Sequence, residues 1–278
     1  MNVLGLTALL AAGSLLAGFL GALTGLGGGV VIVPLLTIGL GVDIRYAVGA
    51  SLVSVIATSS GAAAAYVREG FTNLRVGMLL EIATTLGALA GAALAAVLAP
   101  SLIAVVFGLV LLHSAWVARR QVDPHPKDAE SDPLATWLHL NGAYPTPAGL
   151  QHYHVRRVPA GAALMAVAGV LSGLLGIGSG AVKVLAMDRT MRLPFKVSTT
   201  TSNFMIGVTA AAGAGVYLWR GYVDPGLAMP VMLGVLAGSL VGARVLTAAP
   251  SRHLRVVFAV VIALLGAEMI FNGLTGRL

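Results

Sequence analysis

Gly25-Leu26-Gly27-Gly28-Gly29-Val30-Val31 and Gly176-Ile177-Gly178-Ser179-Gly180-Ala181-Val182 interrupt two long apolar runs at corresponding points. Sliding the sequence by 151 positions superposes them, and the match continues without a gap. Gly18 falls on Gly169, Ser51 on Ser202, Tyr66 on Tyr217, Gly70 on Gly221, Gly87 on Gly238, and Gly91-Ala92 on Gly242-Ala243. Each glycine costs a helix about 1 kcal/mol relative to alanine, so the cluster at Gly25–Gly29 stops a helix. The chain reads as a duplicated unit with one broken helix per copy. In duplicated membrane proteins, broken helices lie where substrate binds.

Composition sets the class. Of 278 residues, 58% are hydrophobic and 10% charged, against about 25% charged in soluble domains. Several apolar stretches exceed the roughly 18 residues of a membrane-span candidate. A soluble helical protein would need many charges on its outer faces, and this chain lacks them. The net charge of +7 is scattered among loops and forms no stripe, which argues against nucleic acid. With no Cys, disulfides, thiolate metal sites and cysteine nucleophiles are excluded. No Lys or Arg precedes Arg45, so the basic start of a cleavable signal peptide is missing and the first segment is expected to be retained.

The expected fold is an all-α polytopic membrane protein of two four-segment repeats (4+4). Residues 1–118 form the first repeat, 119–158 a polar linker and 159–278 the second repeat. In the first copy the segments are about 3–40 (broken near 25–29), 46–66, 74–98 and 101–118. In the second they are about 159–187 (broken near 176–180), 196–218, 226–248 and 253–272. Small residues four apart, such as Gly87 and Gly91 or Gly234, Gly238 and Gly242, suit close helix packing in lipid. In the linker, Thr136–Leu140, Asn141-Gly142 and Gln151–Val158 suggest a small β-hairpin. Its histidines, His125, His139, His152 and His154, read as surface residues, because no carboxylate or Cys joins them at ligand spacing. No metal and no cofactor is expected.

Two topologies are open. If every segment crosses once, the linker shares a side with both termini, and the basic residues favour the cytoplasm. Arg189, Arg192, Lys196, Arg252 and Arg255 then fall opposite. If each broken segment enters and leaves on one face, the copies are inverted and the termini lie opposite the linker.

A half-helix is expected to start at Gly28–Val30 and its counterpart at Ser179–Ala181. The first N–H groups of such helices lack intrahelical partners and carry the positive end of the macrodipole. An anion satisfies them well; the alternative is a kink filled by a neighbouring side chain. Lys183, about one turn into the second half-helix, is the most informative residue, because a central Lys costs roughly 2.5–3.5 kcal/mol on insertion scales. A bound oxyanion, Asp188, Glu81 or snorkelling to the interface would offset that cost. Ser51, Ser54 and Thr58 share one helix face, and Ser198–Asn203 crowd the matching helix; these groups suit either oxyanion oxygens or interhelical bonding. The candidate binding site comprises Gly27, Gly28, Gly29, Val30 and Ser51 with Gly178, Ser179, Gly180, Ala181, Lys183, Ser202 and Asn203. Glu81 is the candidate carrier of a coupling proton. His113, Arg244 and Glu268 are expected near span ends.

An enzyme is the rival class, yet the chain has no metal-ligand His pair and no Gly-Lys-Ser/Thr after a glycine loop. A passive anion channel is the nearer alternative. The run Gly-Leu-Gly-Gly-Gly-Val-Val-Ile-Val-Pro-Leu-Leu, its echo Gly-Ile-Gly-Ser-Gly-Ala-Val-Lys-Val-Leu, the 4+4 pattern and the polar linker resemble the sulfite exporter TauE/SafE family, also called the toluene sulfonate uptake permease family. The resemblance covers almost the whole chain. It implies a multi-pass transporter of the bacterial inner membrane that moves sulfite, sulfoacetate or other organosulfonates, with export the expected direction. The partners expected are the anion and the lipid bilayer, with a coupling proton suggested by Glu81 alone; a homodimer is left open. Copy symmetry breaks at Lys183, opposite Ile32, and at Leu185, opposite Pro34.

Overall fold

A computed structural model describes residues 3–24, 28–68, 70–118, 132–146, 149–248 and 251–276. The first half comprises α1 (Val3–Thr24), α2 (Gly29–Pro34, running on as a π turn, Leu35–Gly39), α3 (Ile44–Arg68), α4 (Leu74–Val97) and α5 (Pro100–Ala118). A short α6 (Pro133–Trp137) and strands β1 (Gly142–Thr146) and β2 (Gly149–Tyr153) follow. The second half comprises α7 (Val158–Leu175), α8 (Gly180–Leu185, with a π turn at Ala186–Thr190), α9 (Phe195–Trp219), α10 (Pro225–Ala248) and α11 (Ser251–Thr275). The bounds of α2, α3 and α4 recur in α8, α9 and α10 at the 151-residue interval of the sequence match. Both π turns recur as well, so the wide turn does not depend on Pro34, whose counterpart is Leu185.

Each short helix doubles back along the helix before it. A Cβ built on Gly28 would lie 3.6 Å from Gly18 Cα, while one on Gly13 would face Leu35 at 2.9 Å. In the second half Ser179 Oγ donates to the Ala168 carbonyl at 2.5 Å, and Gly161 abuts Met191. The interrupted segments are therefore hairpins that start and finish at one end of the fold. Left-handed residues turn the chain in the second hairpin: Gly176 (φ 69°), Gly178 (φ 67°) and Ser179 (φ 45°). The first two have the residue type that adopts this conformation without steric cost.

The helices pair across the halves. Gly87 and Gly91 of α4 abut Ala166 and Val170 of α7, and Gly234 and Gly238 of α10 abut Ala11 and Leu15 of α1. Both pairs run parallel. Leu52 meets Gly213 while Ser59 meets Gly207, so α3 and α9 are antiparallel. Leu111 meets Gly266 and Val105 meets Gly273, so α5 and α11 are antiparallel too. It follows that the starts of α1 and α3 lie at one end of the helix layer, and the linker at the other. Arg75, Arg156, Arg157, Arg189, Arg192 and Lys196 sit toward the linker end, whereas Arg45 and Arg220 sit opposite.

A cation crosses between the halves at each end. Arg45 stacks over the Tyr222 ring at 5.8 Å and donates to the Ala95 and Leu98 carbonyls, capping α4. Lys196 stands 3.6 Å above the Phe71 ring. These two pairs are also 151 residues apart.

Glycine, alanine and hydroxyls line the helix contacts around a core of large apolar side chains such as Phe107, Ile32 and Leu52, while Ile82 (64% exposed), Leu86 (63%) and Leu16 (61%) point outward. Such a surface suits lipid, where small residues let backbones approach. Added Cβ atoms at Gly169 and Gly173 would meet the Thr84 and Ala88 carbonyls. Among the described residues, α4 and α7 are long and apolar enough to cross a bilayer unaided.

The linker holds the expected hairpin, with Gly142 opposite Tyr153 and Thr146 opposite Gly149. Its position differs from the sequence reading. Residues 133–137 are helical because Asp132 caps Leu134 N–H and Pro133 starts the helix. The strand begins after Asn141, not at Thr136. The hairpin is tied to the helices by Asn73, whose Nδ2 donates to the Leu140 carbonyl and Tyr153 hydroxyl, and whose N–H donates to Thr201 Oγ1. Burial pushes the Tyr153 phenol above its ordinary range, so it stays a neutral hydroxyl. His152 and His154 are exposed, and the described residues contain no metal-ligand cluster. His125 lies outside the described residues.

Candidate functional site

The tips of the two hairpins meet. A Cβ on Gly29 would lie 2.6 Å from Ser51 Oγ and 2.8 Å from the Gly176 carbonyl, so only glycine admits this approach. Ser51 Oγ donates to that carbonyl at 2.6 Å. Gly178 rests against Ile206 and Val55, and Gly176 against Val48. Ser202, the counterpart of Ser51, lies 3.4 Å from the Gly180 carbonyl. Both tips are thus held against the inner stretches of α3 and α9. The short helices begin at Gly29 and Gly180, where the sequence put them. Val31 and Ile32 N–H donate to the Gly28 carbonyl, and Val182 and Lys183 N–H to the Ser179 carbonyl. The earlier N–H groups of each first turn have no intrahelical acceptor.

Lys183 is fully buried, which removes snorkelling as its compensation. Its Nζ donates to Thr209 Oγ1 at 2.5 Å. Thr209 Oγ1 in turn lies 2.6 Å from Glu81 Oε1 and 3.0 Å from the Met205 carbonyl. Its single proton serves the closer, charged acceptor. Thr85 also donates to Glu81 Oε1, at 3.2 Å. Of the compensations open to Lys183, Glu81 is the one in contact, through a threonine bridge. Asp188 is buried and engaged in an interaction of its own.

Thr209 was invisible to motif reading, though two signals pointed to it. It lies seven residues after Ser202, on the same face of α9, and 151 after Thr58. The other hydroxyls are mostly spent locally: Ser54 on Ser51, Thr58 on Ser54 and Val55, Thr200 on Lys196 and Val197. This is the ordinary behaviour of Ser and Thr in helices. Of the remaining candidates, Val30 is buried in the apolar core and Asn203 is half-buried on α9. Gly27 and the Ala181 side chain lie outside the described residues. His113 and Glu268 are exposed, and His113 is tilted against Trp116.

The sequence model of the family described as Sulfite exporter TauE/SafE matches residues 10–269. Probable membrane transporter protein YunE of Bacillus subtilis (strain 168) is 27% identical over 269 residues, covering 94% of this chain and 96% of its own length. Probable membrane transporter protein YdhB of the same organism is 26% identical, covering 92% and 96%. A probable membrane transporter protein of Xylella fastidiosa (strain 9a5c) is 27% identical, covering 89% of each chain. No solved structure matches. The chain belongs to the TauE/SafE family.

Proposed function

We propose that this member of the TauE/SafE family is an inner-membrane carrier of sulfur-containing anions (sulfite, sulfoacetate or other organosulfonates), working by alternating access and in the direction of export. The anion docks between the hairpin tips, at Gly27–Val30 and Ser51 of one half and Gly178–Ala181, Lys183, Ser202 and Asn203 of the other. The observation that carries this reading is the approach of Gly29 to Gly176, together with the fully buried Lys183 one turn into α8. Two first turns whose leading N–H groups lack intrahelical acceptors, with one ammonium, make an electropositive centre inside an apolar fold. The relatives' names favour a transporter over an enzyme.

The chain reads as a 4+4 duplication with inverted halves. The 151-residue interval of the helix bounds supports the duplication, and the antiparallel pairing of α3 with α9 and of α5 with α11 supports the inversion. In such folds one half rocks against the other around a fixed site. The Arg45–Tyr222 and Lys196–Phe71 pairs, at opposite ends, suit the closures of two gates. The richer basic end puts the linker in the cytoplasm.

Two measurements test this. Sulfite, thiosulfate, sulfate and organosulfonates are screened by thermal shift and direct binding on purified protein, then by proteoliposome uptake. Selective stabilisation by a sulfonate or sulfite with saturable exchange is expected. No response to any of them ends the anion reading, and an ohmic current replaces the carrier with a channel. For topology, the cysteine-free chain allows single reporters at opposite ends. A membrane-impermeant maleimide on intact cells labels Arg220→Cys and spares His154→Cys. Labelling of both from one side removes the inverted arrangement.

A further inference from the structure

Thr209 holds Lys183 and Glu81 in one chain of hydrogen bonds, but it leaves the carboxylate half satisfied. Oε1 takes Thr209 and Thr85, whereas the buried Oε2 has no partner among the described residues. The elements around Glu81 offer little else. From α7, Gly169 abuts the Thr84 carbonyl one turn on from Glu81, and from α9 Thr209 is in contact with the carboxylate; Thr84 lies near it too, with its hydroxyl on the Leu80 and Glu81 carbonyls. Lys183 on α8 is the charged side chain facing Glu81 among the described residues. Lys183 and Glu81 thus form one ammonium–carboxylate pair joined through Thr209, while the buried Asp188, on the π turn after α8, has an interaction of its own.

An anion arriving at Lys183 upsets that balance. Two negative groups then face one positive group in a medium of low dielectric. Resting on the anion site proposed above, we infer that Glu81 takes up one proton when an anion docks at Lys183, so that anion and proton move through the protein together. Lys183 stays an ammonium throughout. The proton comes from water and lands on the carboxylate of Glu81, whose Oε2 is the oxygen left without a partner, and it returns to water on the side where the anion leaves. Thr209 acts as a positioning residue: its hydroxyl keeps the two charges in register without itself changing protonation.

The experiment is the proton count of anion binding. Sulfoacetate, whose acid groups are both ionised at neutral pH, is titrated into purified full-length protein in buffers of different ionisation enthalpy. Wild-type protein is expected to absorb about one proton per anion, with affinity falling about tenfold for each unit of rising pH, as reciprocal linkage requires. Glu81→Gln is expected to bind with no proton uptake and with pH-independent affinity. Binding by the wild type without uptake overturns this inference and leaves the anion site standing. Uptake that persists in E81Q also overturns it, and absence of binding by the wild type overturns both readings. A wild-type count of zero overturns the inference even if E81Q does not fold.

Discussion

Lys183→Met lowers the stability of the folded protein by about 3–5 kcal/mol, and adding Glu81→Gln restores most of that loss. The reasoning starts from burial. Lys183 has no exposed surface and Glu81 is 9% exposed. Removing the ammonium leaves a carboxylate inside the fold with only threonine donors to satisfy it. The cost comes from that orphaned charge more than from the loss of the pair itself, so neutralising the partner recovers it. Thr209 transmits the coupling, because it touches both groups. A double-mutant cycle by denaturant unfolding or steric trapping in micelles measures the non-additive share. Strictly additive losses would mean that the threonine bridge carries no interaction.

The same variants separate stability from function. Under the proposed anion reading, both Lys183→Met and the double variant lose anion binding, although the double variant is well folded. Ile32→Ala, at the position matching Lys183 in the first half, makes a cavity in a fully buried site and costs about 2–5 kcal/mol of stability, yet its folded fraction still binds. Lys183→Ala therefore weakens binding to folded protein more than Ile32→Ala does. Equal and negligible effects would remove Lys183 from the site.

Much of the fold was legible because two signals repeat. Glycine clusters at 25–29 and 176–180 marked the helix starts at Gly29 and Gly180, since glycine's cost to a helix is local and additive. Long apolar runs marked α3 to α5 and α9 to α11, since charge is excluded from such surfaces. The direction of the chain after each glycine cluster was not legible. Whether a helix continues or doubles back depends on backbone torsions and on contacts such as Gly13 with Leu35, which no periodicity encodes. The basic residues carried a hint in disguise: they divide between the two ends under the single-crossing reading, whereas with the hairpins placed most of the described ones lie at the linker end, Arg45 and Arg220 apart. Among site residues, Lys183 and Glu81 stood out because a charge in an apolar run is costly. Thr209 did not, because a threonine in a helix normally bonds its own backbone and looks like every other.

Gly29→Val slows transport by about ten- to a hundredfold while the protein still folds. The position tolerates no side chain, because the Ser51 hydroxyl and the Gly176 carbonyl already occupy the space of a Cβ. Overpacking of this kind costs about 1–3 kcal/mol. Here it falls where the tip of the first hairpin meets α3 and the Gly176 carbonyl of the second. Under the proposed anion reading, displaced tips dilute the electropositive centre. Initial rates of sulfoacetate uptake in proteoliposomes read the effect. Gly215→Ala serves as the control for glycine loss in general, since a Cβ there meets nothing within 4 Å; it gains up to about 1 kcal/mol of helix stability and leaves transport as it was. Full activity in Gly29→Val would show that the tips work apart.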